Sequence, residues 1–118
     1  MDEDLYCKVY VDSSNESSDF LAFIAKVVKG NISLRTVEND LLEITVFKNE
    51  DYEKDKTTDV DGFVFFPYYL EIEPVDESSV SSEEYKSLIG DLLEALWDKG
   101  ADAVAACDFE DKLPKKLA

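Results

Sequence analysis

Seven apolar residues at helical spacing, Tyr85, Leu88, Ile89, Leu92, Leu93, Leu96 and Trp97, constrain this chain more than any other feature. They lie on one stripe of a helix, and a stripe that long has to be covered by a second layer of structure. The helix is bounded at both ends. Ser81 and Glu84 form a capping box, Val80 and Tyr85 are spaced to staple across it, and Gly100 closes the run. With about 100° of turn per residue, Glu83, Glu84, Asp91, Glu94 and Asp98 share an arc of about 100° opposite the stripe.

Alternation of period two supplies the covering layer. Leu5, Cys7, Val9 and Val11 alternate with Tyr6, Lys8 and Tyr10, which predicts a first strand. Ile32, Leu34 and Thr36 alternate with Ser33, Arg35 and Val37 as a second, and Leu42, Ile44 and Val46 alternate with Glu43, Thr45 and Phe47 as a third. The aromatic run from Phe63 to Glu73 predicts a fourth, with Pro67 at a bulge or unpaired edge because it has no amide hydrogen. Ala103 to Asp108 predicts a short last strand. Another helix is expected from Asp19 to Lys29, between a Ser/Asn/Asp-rich stretch and Gly30-Asn31. Asn49 to Gly62 holds six acids and one clearly apolar residue, Val60, and reads as a long solvated loop. The basic cluster Lys112-Leu113-Pro114-Lys115-Lys116 reads as a frayed terminus.

The order β-α-β-β-β-α-β predicts an α+β fold. Right-handed crossovers put both helices on one face, giving a two-layer sandwich with a mixed sheet of about five strands. This arrangement resembles a ferredoxin-like fold with an added strand. At 118 residues the chain fits a single domain, 1–118. Met1-Asp2-Glu3-Asp4 is acidic where a secretion signal begins basic, and the longest apolar stretch is too short to span a bilayer. The expectation is a cytoplasmic protein with Cys7 and Cys107 reduced. A disulfide requires that the strands carrying them be neighbours.

Helices cover only one side of such a sheet. With Leu5, Cys7, Val9, Val11, Ile44, Val46, Leu70 and Ile72 facing them, the other side receives Tyr6, Tyr10, Phe47, Tyr69, Glu71 and Glu73. Val64 and Phe66 join that side if the strand keeps its phase across Pro67. Rings beside carboxylates suit a protein interface. A second copy of the chain is one candidate cover, which would make a homodimer through the open face.

Charge narrows the function classes. The chain has 28 Asp and Glu, 12 Lys and Arg and no histidine, for a net charge of −16. Binding to nucleic acid or to anionic membrane needs clustered cations, so neither is expected. Histidine-based triads and metal sites are excluded outright. Four glycines, at 30, 62, 90 and 100, build no phosphate loop. The cysteines lack an activating base, and Cys107 sits in an apolar, acid-flanked run. Thr57-Thr58-Asp59-Val60-Asp61-Gly62 fails as a calcium loop, because Thr57 and Tyr68 stand where carboxylate ligands are needed. No catalytic residue, cofactor or dedicated metal site is assigned.

What remains is the distribution of acids. Residues 71–111 hold thirteen acids against only Lys86 and Lys99. The surplus thus belongs to the second helix and its flanks, where few opposite charges sit at i,i+4 to offset it. Self-repulsion of that kind destabilises a lone molecule and is relieved by a cationic partner.

Two stretches carry a resemblance to a known group, Phe65-Phe66-Pro67-Tyr68-Tyr69-Leu70-Glu71-Ile72-Glu73 and Ala105-Ala106-Cys107-Asp108-Phe109-Glu110-Asp111. In character they resemble small acidic immunity proteins of bacterial polymorphic-toxin systems. The resemblance implies a non-enzymatic inhibitor that occludes a basic toxin domain. The candidate partner-binding residues are Glu83, Glu84, Asp91, Glu94 and Asp98 for steering, then Tyr69, Glu71 and Glu73, with Asp108, Glu110 and Asp111. Two alternatives are a small enzyme holding a divalent metal on Glu71, Glu73, Asp108 and Glu110, and a homo-oligomeric structural module.

Overall fold

A computed structural model describes residues 4–13, 17–53, 62–76 and 78–115. The elements run β1 (Cys7–Asp12), α1 (Ser17–Val28), β2 (Asn31–Ser33), β3 (Thr36–Glu38), β4 (Leu42–Lys48), β5 (Tyr68–Pro74), α2 (Ser82–Asp98) and β6 (Asp102–Cys107). Short 3-10 turns, Gly62–Phe65 and Glu110–Lys112, precede β5 and follow β6. The fold is α+β, with six strands in the order β2-β3-β4-β5-β1-β6.

Every strand pairing is antiparallel, which corrects the expected mixed sheet. The two helical crossovers do join strands that run in the same direction, but in neither case are those strands neighbours. β3, β4 and β5 lie between β1 and β2, and β1 lies between β5 and β6. A crossover that skips three positions, as the first does, or one, as the second does, leaves antiparallel strands between its ends, so no parallel ladder forms.

The strand count is also corrected. The predicted second strand is a hairpin, β2 and β3, folding back through Leu34-Arg35. A two-residue hairpin turn usually advertises itself with glycine or asparagine at a position of positive φ. Here Leu34 takes that position, with φ 56°, and its side chain is 92% exposed. The predicted fourth strand begins later than expected. Residues 62–65 form the 3-10 turn, Phe66 is buried beside it, and Pro67 stands just before β5. Proline is tolerated there because no ladder amide is asked of it.

One apolar core joins the layers. Cys7, Val9 and Val11 of β1, Leu42, Ile44 and Val46 of β4, and Leu70 and Ile72 of β5 meet Phe20, Ile24 and Val28 of α1 and Ile89, Leu92, Leu93 and Leu96 of α2. Both helices therefore cover the same sheet face. Lys29, with φ 57°, ends α1, and Gly30 follows because a Cβ there would stand 2.8 Å from both Glu38 O and Val37 Cγ1. Ser81 caps α2 by accepting the Glu84 amide at 3.3 Å. Tyr85 is fully buried, and its hydroxyl reaches the carbonyls of Leu5 at 2.6 Å and Ile72 at 3.1 Å. Trp97 donates its indole N–H to Ala103 O at 3.1 Å, pinning the other end of α2 to β6.

The basic tail is docked through Leu113 and Pro114, where the sequence predicts fraying. Phe109 and Leu113 are buried, and Phe109 meets the Tyr85 ring edge-on at 6.2 Å. Pro114 lies over Gly90, whose missing Cβ would stand 3.0 Å from the proline Cδ. Glycine in mid-helix costs about 1 kcal/mol relative to alanine, and the close approach of the tail is its reason here. Residues 116–118, and residues 54–61 of the predicted acidic loop, lie outside the described residues.

Two substitutions test these ties. Tyr85→Phe removes the donor serving two buried carbonyls and should cost about 1–3 kcal/mol. Phe109→Ala should cost about 3–5 kcal/mol if the tail is part of the core. Urea unfolding should show both as a lower midpoint at unchanged slope.

Candidate functional site

The predicted site residues fall on two opposite surfaces. Glu83, Glu84, Asp91, Glu94 and Asp98 are all exposed along the outer side of α2, since the stripe beneath them is turned into the core. Asp108, Glu110 and Asp111 are exposed on the turn after β6. That turn packs beside the first half of α2, with the Lys86 ammonium 5.2 Å from the Phe109 ring centroid. Tyr69, Glu71 and Glu73 lie on the far side of the sheet, which no helix covers. The eleven residues thus divide into a helix-and-turn group and a sheet group, with the core between them.

None of the five α2 carboxylates forms an ion pair among the described residues. Lys86 and Lys112 stand nearby and, with Glu83, Asp91, Glu94 and Pro114, line a shallow groove of about 420 Å³. Desolvation, and after it the like charge of Lys112, holds the Lys86 ammonium below the usual lysine range. A second groove, of about 560 Å³, runs between α2 and β6, where Leu93, Trp97, Val104 and Pro114 give it apolar walls. Charge and apolar surface therefore lie side by side around α2.

The open face carries the expected Tyr6, Tyr10, Phe47, Tyr69, Glu71 and Glu73. Val64 and Phe66 do not join it as strand residues, because the 3-10 turn breaks the phase. Strand register arranges the face in rows. Glu38, Glu43 and Glu73 make an acidic row across β3, β4 and β5. Thr36, Thr45, Glu71 and Lys8 follow, the two threonine hydroxyls 3.2 Å apart. Phe47, Tyr69 and Tyr10 form an aromatic row, with Phe47 and Tyr69 stacked at 5.0 Å and Phe63 edge-on to Tyr10 at 5.4 Å. Tyr6 ends the acidic side. Its phenol is pushed up to about 12, first by burial and then by the charge of Glu71 and Glu73.

The carboxylates of the metal-enzyme alternative are not gathered. Glu71 and Glu73 belong to β5, Asp108 and Glu110 follow β6, and β1 separates the two strands. Asp108 instead accepts the Asp4 amide at 3.2 Å. Among the described residues, no three carboxylates or thiols converge on a position that would hold a metal ion. The cysteines meet the geometric condition set by the sequence, since β1 and β6 are neighbours and Cys7 lies directly opposite Cys107. Both are free thiols, raised above the usual range chiefly by burial. That keeps them protonated and poorly nucleophilic at neutral pH.

Sequence reasoning missed a group of cations on the open face. Lys8, Arg35 and Lys48 line one hollow there together with Tyr10, Phe47 and Tyr69. Lys8 was legible, because it alternates with Tyr6 and Tyr10. Arg35 and Lys48 were not, because their position depends on the unforeseen hairpin and on where β4 ends.

No family model matches the chain, and no curated protein or solved structure matches it. No described helix is long and apolar enough to cross a membrane.

Tyr6 provides a check on the open face. The phenol holds its proton more tightly in the folded protein than an ordinary tyrosine does, whose pKa is about 10. Its contribution to stability is therefore full below about pH 10 and is lost as pH rises towards about 12. Absorbance titration at high pH should show Tyr6 and the more deeply buried Tyr85 ionising late, and Glu71→Gln should bring the Tyr6 step alone to lower pH.

Proposed function

We propose that this chain is a non-enzymatic acidic binding protein that docks a basic protein partner through the outer face of α2 and the adjoining turn. The observation that carries this reading is the set of five exposed carboxylates, Glu83, Glu84, Asp91, Glu94 and Asp98, with no ion pair among the described residues. Like charges held on one rod repel one another, and a cationic surface relieves them. The resemblance to immunity proteins agrees in kind. It makes the partner a cytotoxic domain with a basic active surface, and the setting the cytoplasm. The order β6-β1-β5-β4 supports a ferredoxin-like core, with the β2–β3 hairpin added at its edge.

Magnitudes assign the charges their role. An exposed ion pair contributes about 0.2–1 kcal/mol. Five of them fall short of the ~8 kcal/mol of a micromolar complex. Charge therefore governs encounter, while affinity comes from apolar contact in the groove formed by Leu93 and Trp97. Asp108, Glu110 and Asp111 extend the attracting surface along the turn. Tyr69, Glu71 and Glu73 face away and take no part in this contact.

The test begins with capture from the source cell at low salt and identification of the bound proteins by mass spectrometry. With a captured partner in hand, its association rate should fall at least about tenfold between about 50 mM and about 500 mM salt. The combined variant Asp91→Asn, Glu94→Gln, Asp98→Asn should flatten that dependence. A rate indifferent to salt, or unaffected by the variant, refutes the assignment.

A further inference from the structure

The aromatic end of the open face holds a hollow of about 390 Å³ whose charge runs against the rest of the molecule. Lys8 from β1, Arg35 from the β2–β3 turn and Lys48 from the end of β4 line it. Glu50 and Asp51 share its rim. Three cations to two carboxylates stands out in a chain with 12 Lys and Arg to 28 acids. Carboxylates are the commonest neighbours such a composition can offer. Even so, no ion pair among the described residues engages Lys8, Arg35 or Lys48. Lys8 instead holds its ammonium 4.3 Å from the Tyr69 ring centroid and 5.0 Å from that of Tyr10.

The floor and walls are already in place. Phe47 and Tyr69 stack with their planes 16° apart, and Tyr10 stands 6.3 Å from Tyr69. Asn49 braces the rim by donating to Val64 O at 2.9 Å and Phe66 O at 2.7 Å, while its side-chain oxygen accepts the Asp51 amide at 3.0 Å. A braced hollow lowers the ordering cost of binding. Its volume lies within the roughly 300–1,000 Å³ typical of small-ligand sites.

We propose that this hollow binds a small organic anion carrying a flat ring, with its acidic group on Lys8, Arg35 and Lys48 and its ring against the Phe47–Tyr69–Tyr10 row. A nucleic acid strand is a poor occupant, because its many phosphates meet the repulsion of a chain of net charge −16. A single anionic group is governed by the cations beside it, since at physiological salt charges beyond about 8 Å are largely screened. This site is independent of the α2 face, on the other side of the core.

Anilinonaphthalene sulfonate, a flat aromatic anion, is the probe. Saturable one-to-one binding is expected, with amide shifts in nuclear magnetic resonance centred on residues 8–10, 35, 47–49 and 69. Phenylnaphthylamine, which has the rings without the charge, should bind at least about tenfold more weakly, and inorganic sulfate should compete only feebly. Lys8→Gln and Arg35→Gln should each weaken the sulfonate by about three- to tenfold. Arg35 is exposed on a turn, so its variant keeps the fold if Lys8→Gln does not. Equal binding of the uncharged dye, equal binding by the folded variants, shifts mapping elsewhere, or absence of binding would each overturn the proposal. So would a dimer in sedimentation that buries Lys8, because the occupant would then be a second copy.

Discussion

Coverage on one side only is the constraint from which the rest of this structure follows. Two helices bury one face of the central strands of a six-stranded antiparallel sheet, and both lie on that face. In β1, β4 and β5 the inward positions are apolar and buried, while the outward ones are rings, threonine, carboxylates and lysines. Tyr85 shows how tightly the covered side is tied. One buried hydroxyl joins α2 to the chain entering β1 and to β5. Buried carbonyls that find a donor cost little, whereas orphaned ones cost a large share of a small domain's stability.

The same asymmetry separates two kinds of surface. Outside the helices, α2 presents carboxylates that repel one another and lie next to the apolar groove beneath Trp97. Outside the sheet, acids occupy one end and an aromatic row beside Lys8, Arg35 and Lys48 occupies the other. A net charge of −16 describes neither surface. Local arrangement decides what each attracts, because screening limits a charge to its near neighbourhood. The proposed protein partner and the proposed small anion therefore do not compete for space.

Long periodic segments were legible because their pattern and their burial have the same cause. The stripe from Tyr85 to Trp97 and the alternations around Val9 and Ile44 all emerged as the faces they predicted. The acidic arc on α2 was equally readable, since helical geometry alone places those five residues together. Errors came where one element hid another. Leu34-Arg35 continues an alternating pattern, so nothing local announced a turn there, and only pairing of Ile32 with Val37 made it a hairpin. In the tail, lysines and a proline suggested fraying, yet Phe109 and Leu113 reach the core and Gly90 receives Pro114.

By itself the sequence determined two helices, the inward and outward phases of the principal strands and the acidic outer side of α2. These depend on periodicity, which local geometry converts directly into direction. The tertiary structure alone decided that every strand pairs antiparallel, that Cys7 faces Cys107, and that Glu71 and Glu73 look away from the α2 acids. It also brought Lys8, Arg35 and Lys48 to one hollow. Those outcomes join residues distant along the chain, and which distant residues meet is fixed by crossover geometry and by packing around a shared core, neither of which leaves a mark in any short window of sequence.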